Sequence, residues 1–340
     1  YNDGGIFSGM LNAPGNDMRF YLERVEGNRN FGNKLWNAAR FILMNFEGED
    51  IELDIDLKEL TSADKWILSK VNRLAKDVTD NMDKYELGIA VQKLYDFAWE
   101  EFCDWYIEMV KPRLYNKEDA SRKAALWTLK TVMIQILKML HPYIPFITEE
   151  IFMSLQEKEE SIMISSWPTF SEAWDFTNEE DEIELLKVAV RAIRNLRSEM
   201  NVPPSKKAKV FVVSQDQETI DIFEKGKVFF SVLSYSSEIN IQKDMKNIAK
   251  DAVSVVVPKA TLYIPFEELV YIEKELERLE KEKLKLESEV SRVDKKLSNE
   301  GFIAKAPTKL IEEEKAKREK YQIMLNEVLE RIAFLENNIK

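Results

Sequence analysis

The sequence predicts a mainly α protein: a helical bundle, a small α/β segment and an antiparallel coiled-coil hairpin. Three observations carry that expectation. Long amphipathic stretches with short connections fill residues 17–180. Runs rich in β-branched residues are confined to a stretch between 209 and 264. From Leu269 onward, apolar residues recur alternately three and four apart, twice, on either side of one turn. Composition removes other classes. The 340 residues carry 61 acids against 49 bases, a net charge of −12, so any nucleic-acid contact must come from local basic patches. One cysteine, Cys103, and one histidine, His141, exclude an internal disulfide, a His-based triad within the chain and a zinc ribbon. No apolar run is long enough to span a bilayer, no secretory pattern opens the chain, and the sparse cysteine reads as cytosolic.

Residues 1–16 hold Asn-Asp-Gly-Gly and Ala-Pro-Gly-Asn and read as a join or disordered start. A first helix is expected from about Met18 to Asn45, with Gly27 and Gly32 weakening its middle at about 1 kcal/mol each. Thr61 or Ser62 can N-cap a second helix that carries Trp66, Ile67, Leu74 and Val78 inward. A third runs from about Glu86 to Val110 and is rich in aromatics, with Pro112 expected to stop it. A fourth spans about 119–140, and His141-Pro-Tyr-Ile-Pro145 turns the chain before a short helix near Thr148. These helices form a bundle over 17–180. An amphipathic helix at about 180–200, ended by Asn201-Val-Pro-Pro, opens a linking segment, 181–266. Within it 209–213, 254–257 and 261–264 read as strands, and 216–235 as helical. In the arm, 267–340, one seam runs from Leu269 to Leu297 with Lys283 as its polar intruder, and the second from Ile311 to Ile339. A turn at 298–307 pairs Leu297 with Ile311, Leu279 with Val328 and Leu269 with Ile339, giving a hairpin roughly 45–50 Å long.

Candidate binding residues fall in two places. Lys187, Arg191, Arg194 and Arg197 share the polar side of the 180–200 helix, and Lys206, Lys207 and Lys209 follow. From 187 to 209 seven bases meet a single acid, Glu199, in a chain that is acidic throughout. Segregated charge of this kind suits phosphate contact, where a merely solvated face would mix its signs. On the first helix, Asn30, Lys34, Asn37 and Phe41 make one stripe with Arg40 beside it, the chemistry that reads unstacked bases. Taken locally, Phe41 belongs to the core with Ile42, Leu43 and Met44. The aromatics at 95–106 read as core, Cys103 as a buried small hydrophobe, and no catalytic or metal-ligating set assembles.

The sequence also resembles a known family. Ala13-Pro-Gly-Asn-Asp-Met-Arg-Phe20 and Arg29-Asn-Phe-Gly-Asn-Lys-Leu-Trp-Asn-Ala-Ala-Arg-Phe41 are similar to valyl-tRNA synthetases just downstream of the catalytic domain. Glu101-Phe-Cys-Asp-Trp-Tyr-Ile-Glu108 and His141-Pro-Tyr-Ile-Pro-Phe-Ile-Thr-Glu-Glu150 look like the helical anticodon-binding domain of class I synthetases for Val, Ile and Leu. Arg197-Ser-Glu-Met-Asn-Val-Pro-Pro-Ser-Lys-Lys207 and Leu297-Ser-Asn-Glu-Gly-Phe-Ile-Ala-Lys-Ala-Pro307 resemble the valine enzymes alone. The resemblance implies a monomeric, cytoplasmic ligase portion that binds valine tRNA, with no DNA or membrane partner. The anticodon stem-loop would meet Lys34 and Phe41, with Arg24, Arg29, Asn33, Asn37 and Arg40 as neighbours, and the arm would meet the tRNA outer corner. Neither a HIGH-type motif nor a KMSKS loop occurs here. The resemblance therefore leaves aminoacylation, its ATP and editing to the catalytic and editing domains of the same polypeptide, and no cofactor to this portion. The alternative expectation is a structural module that displays a coiled-coil arm to protein partners.

Overall fold

Helix α1 (Leu22–Asn45) turns Phe31, Leu35, Ala38, Ala39 and Ile42 inward, an apolar stripe at helical spacing that fixes which side of the helix faces water. The computed structural model describes residues 22–47, 54–269, 272–299 and 308–337; the expected join at 1–16, the start of the first helix at 18–21 and the hairpin tip at 300–307 lie outside them. Thr61 caps α2 (Ser62–Asp83) through a capping box with Asp64, and Trp66, Ile67, Leu74 and Val78 are buried as the spacing requires. Three helical segments then follow without a break: α3 (Leu87–Asp96), a π-helical stretch (Phe97–Tyr106) and α4 (Ile107–Tyr115). Pro112 does not stop this helix, which continues to Tyr115. Tertiary contacts override the local signal. Arg113 donates to both carboxylate oxygens of the buried Asp64 at 2.8 and 2.9 Å, and Leu114 is buried, so the turn after Pro112 is held against α2.

Helices α5 (Arg122–Leu140) and α6 (Pro145–Leu155) complete the bundle, α6 starting at Pro145 rather than at Thr148, with proline in the first turn where its missing N–H costs nothing. Arg122 donates to the Asn45 carbonyl at 2.9 Å, fastening the C-terminal end of α1 to α5. Helix α7 (Thr177–Glu199) packs along α2 and runs through the expected boundary at 180/181, so one helix belongs to the bundle and leads out of it. Asn201, at φ 55°, turns the chain after it.

The linking segment is a four-stranded sheet in the order β2-β1-β4-β3. β1 (Ala208–Val213) pairs in parallel with β2 (Ser236–Gln242) and antiparallel with β4 (Ala260–Ile264), which pairs antiparallel with β3 (Val253–Val257). Helix α8 (Gln217–Leu233) is the crossover between β1 and β2. The sequence reading passed over β2, whose Ser-Ser-Glu-Ile-Asn-Ile-Gln is mostly polar; it is an edge strand, and only Ser236 and Ile239 are buried. At Gly226 α8 and α7 meet so closely that a Cβ would lie 2.5 Å from Leu186 Cδ1.

A one-turn helix α9 (Phe266–Leu269) packs on β1, which places Leu269 with the sheet; its expected partner Ile339 lies outside the described residues. Helices α10 (Ile272–Leu297) and α11 (Thr308–Asn337) pack against each other along the arm. Leu279, Leu286, Val290 and Val293 are buried against Leu325, Val328 and Ile332. Lys296–Glu314 and Asp294–Arg318 ion pairs, both at 3.1 Å, run in the antiparallel register. No helix among the described residues is long and apolar enough to cross a membrane.

Candidate nucleic-acid interface

With its apolar stripe buried, α1 presents the opposite arc to water. Arg29, Asn30, Asn33, Trp36, Asn37, Arg40 and Met44 are all exposed. Lys34 and Phe41 lie at the border of this arc, each half-buried. The Lys34 ammonium sits 2.5 Å from an Asp104 oxygen and 4.0 Å from the centre of the Trp99 ring. Trp99 in turn stacks on Tyr95 at 5.6 Å, so the π-helical stretch supplies a wall against which Lys34 is aimed. Phe41 packs on the core with one side and has Lys111 Nζ 5.8 Å from its ring centre on the other. Phe41 therefore belongs to the core on one side only. The structure brings Lys34, Phe41, Asn33, Asn37 and Arg40 onto one surface, with Arg29 two turns toward the N-terminus; the side chain of Arg24 lies outside the described residues. An exposed ion pair such as Lys34–Asp104 contributes at most about 1 kcal/mol, so a phosphate can replace the carboxylate at small cost.

The basic side of α7 is a different object from the one its charge pattern suggests. Lys187 is fully buried, its ammonium bonded to Glu101 at 2.6 Å and Glu184 at 3.0 Å, between the rings of Trp66 and Trp105 at 4.9 and 5.3 Å. Arg197 is 3% exposed and donates to the carbonyls of Pro203 and Lys206. These two residues are withdrawn from the expected phosphate contacts, because a buried guanidinium or ammonium bonded to protein oxygens is out of reach of an incoming phosphate. Arg194 is half-buried, donating to the Leu233 carbonyl at 2.7 Å and lying 5.3 Å from the Tyr235 ring centre, while Arg191 is exposed over Trp105 at 5.2 Å. The stripe is thus a ladder of alternating cations and aromatic rings that ties the bundle to the sheet. Its exposed remainder is Arg191, Lys207 and Lys209, the last paired with Glu238 at 3.5 Å, with Lys206 half-buried beside Glu268 and its ammonium pKa lowered, chiefly by burial.

Trp36 is the residue that sequence reasoning missed. It is 46% exposed, at the edge of the α1 arc away from Lys34 and Phe41. On the helical wheel it lies about 60° from the buried Ala39 and about 40° from the exposed Arg40, so the sequence pattern left its side undecided.

A family described as the anticodon-binding domain of tRNA ligase matches residues 64–212, and one described as the valyl tRNA synthetase tRNA binding arm matches 272–336. The chain is 51% identical over 327 residues to a valine–tRNA ligase of Clostridium tetani, covering 96% of this chain and 37% of that protein. It is 50% identical over 325 residues to a valine–tRNA ligase of Clostridium perfringens, at the same coverages of 96% and 37%. A third, from Bacillus thuringiensis, is 43% identical over 332 residues, 97% of this chain and 38% of that protein. The chain thus spans a little over a third of the length of the relatives it matches.

Proposed function

Because the chain belongs to the valine–tRNA ligase family, through an anticodon-binding domain and a tRNA-binding arm, we propose that it is the portion of such a ligase that holds valine tRNA. In this reading the anticodon loop lies on the exposed arc of α1, with Lys34 releasing Asp104 for a phosphate and Lys111 moving off the Phe41 ring to admit a base. Arg29, Asn33, Asn37 and Arg40 supply further donors, with Arg24 kept as a further candidate. Arg191, Arg194, Lys206 and Lys207 line the backbone path from the bundle toward the sheet. The arm, with 18 acids against 16 bases over 267–340, binds the outer corner by shape and reach rather than by net charge. ATP-dependent attachment of valine, and editing, belong to the remainder of the polypeptide, so ATP is a substrate of the whole ligase and no cofactor is assigned to these residues. The whole protein works in the cytoplasm as a monomer, with no DNA or membrane partner.

The observation that carries this reading is the succession, in one chain, of an anticodon-binding domain and an arm of the valine type. A filter-binding titration of the chain with valine tRNA and with a second tRNA, over a salt series, tests it. Valine tRNA is expected to bind more tightly, with a steep loss on added salt and a shallower slope for Lys34→Ala. Equal, weak binding of both tRNAs overturns the reading in favour of a protein-interaction module.

A further inference from the structure

The chain has seven tryptophans, and six of them have a stated place in the fold. Trp66 and Trp105 enclose Lys187; Trp99 stacks on Tyr95 and carries Lys34. Trp127 meets Trp174 edge to face at 6.3 Å, and Trp167 donates its indole N–H to Thr79 at 2.8 Å. Trp36 alone is exposed, at 46%, and makes no ring contact or hydrogen bond among the described residues. Tryptophan carries a large apolar area, so a ring left uncovered by the described residues at the edge of a polar arc calls for an occupant.

Its surroundings say which one. Arg29 lies about 10 Å before Trp36 along the helix axis and Arg40 about 6 Å after it, both within about 40° of the ring on the helical wheel. Both arginines are exposed, and neither has an ion pair among the described residues. Asn33 and Asn37, about 60° and 100° round the helix on one side of the ring, carry amides that can both donate and accept. A flat aromatic face between two free guanidinium groups, in a protein of net charge −12, is complementary to a polyanion that carries flat rings. We propose that Trp36 is a stacking platform for an unpaired base of an RNA loop, with Arg29 and Arg40 on the phosphates to either side. This rests on the tRNA-binding reading and adds to it a second aromatic, about 140° round the helix from Phe41 at the other edge of the exposed arc. An apolar protein surface docking on Trp36 would have no use for the two unpaired arginines.

The test is binding of a valine tRNA transcript, and of a hairpin of its anticodon stem-loop, to the chain and to Trp36→Phe, Trp36→Leu and Arg40→Ala over a salt series. Leucine keeps an apolar side chain and a good helix former, so Trp36→Leu is expected to fold with the melting temperature of the parent. Trp36→Leu should weaken both RNAs roughly 5- to 100-fold without changing the salt slope, while Trp36→Phe stays within about threefold of the parent. Arg40→Ala should lower the salt slope by about 1. If Trp36→Leu binds like Trp36→Phe while Arg40→Ala still flattens the slope, the platform is overturned and the tRNA reading stands. If the parent chain binds neither RNA, the reading itself fails and takes the platform with it.

Discussion

Lys187 is a charge taken wholly out of water and compensated by two carboxylates and two indole rings. Removing it leaves Glu101 without its partner and opens a space between Trp66 and Trp105. We expect Lys187→Ala to cost about 3–5 kcal/mol of stability and to leave the salt slope of tRNA binding unchanged. Arg191→Ala should do the reverse, melting with the parent and binding with a shallower slope, because its guanidinium is exposed. Thermal melting and a salt titration on the two variants check both halves. Cys103 makes a second residue-scale case. Burial pushes its thiol up to about 12, against a smaller downward pull from Lys34. The thiolate is therefore scarce at any pH at which the protein is handled, and alkylation by iodoacetamide at pH 8.5 should be much slower than in the urea-unfolded chain. Equal rates in the two states would contradict this environment.

At the scale of the element, two kinds of helix part company. The arm helices are written in the sequence because, among the described residues, each packs chiefly on the other, so the heptad seam specifies the partner as well as the helix. Cysteines at Leu276 and Ile332 should crosslink within one chain under oxidation; a ladder of oligomers on a non-reducing gel would replace the hairpin with an intermolecular assembly. Glu314 faces Lys296 and Lys317 across and along the arm, and both hold its carboxyl below the ordinary range. A depressed folded-state pKa means that its contribution is complete above the unfolded value of 4.5 and is lost as pH falls through the folded one. Acid titration of the arm by circular dichroism should therefore show less loss of helix below pH 4.5 for Glu314→Gln than for the parent. The bundle helices obey a less local rule. Pro112 reads as a stop on its own terms, but the buried Asp64–Arg113 pair and a Tyr106 hydroxyl donating to Asp64 at 2.6 Å hold the following turn helical. Proline costs about 3 kcal/mol inside a helix, and the helix continues because its neighbours offset that cost.

For the molecule as a whole, the chain contains surfaces suited to RNA and lacks the two motifs of adenylate chemistry. It is expected to show no valine-dependent ATP–pyrophosphate exchange by itself; exchange above background in a purified sample would mean that a site of that kind lies within these 340 residues. What the sequence determined alone was everything set by period and by short words of text: the helices of the bundle, three of the four strands, the seam of the arm, the family. These are local or one-dimensional properties, since a stripe every 3.6 residues or a cap three residues from its partner is visible without knowing what lies opposite. Tertiary structure decided which charged side chains meet water. Lys187, Arg191, Arg194 and Arg197 look equivalent along α7, yet Trp66, Trp105 and Tyr235 come from distant stretches to enclose some of them and leave Arg191 outside. The same holds on α1, where Trp36 sits at the border of the apolar stripe and packing of Leu35, Ala38, Ala39 and Ile42 leaves it exposed. Burial depends on what arrives from far along the chain, and a sequence pattern records only the near side of that contact.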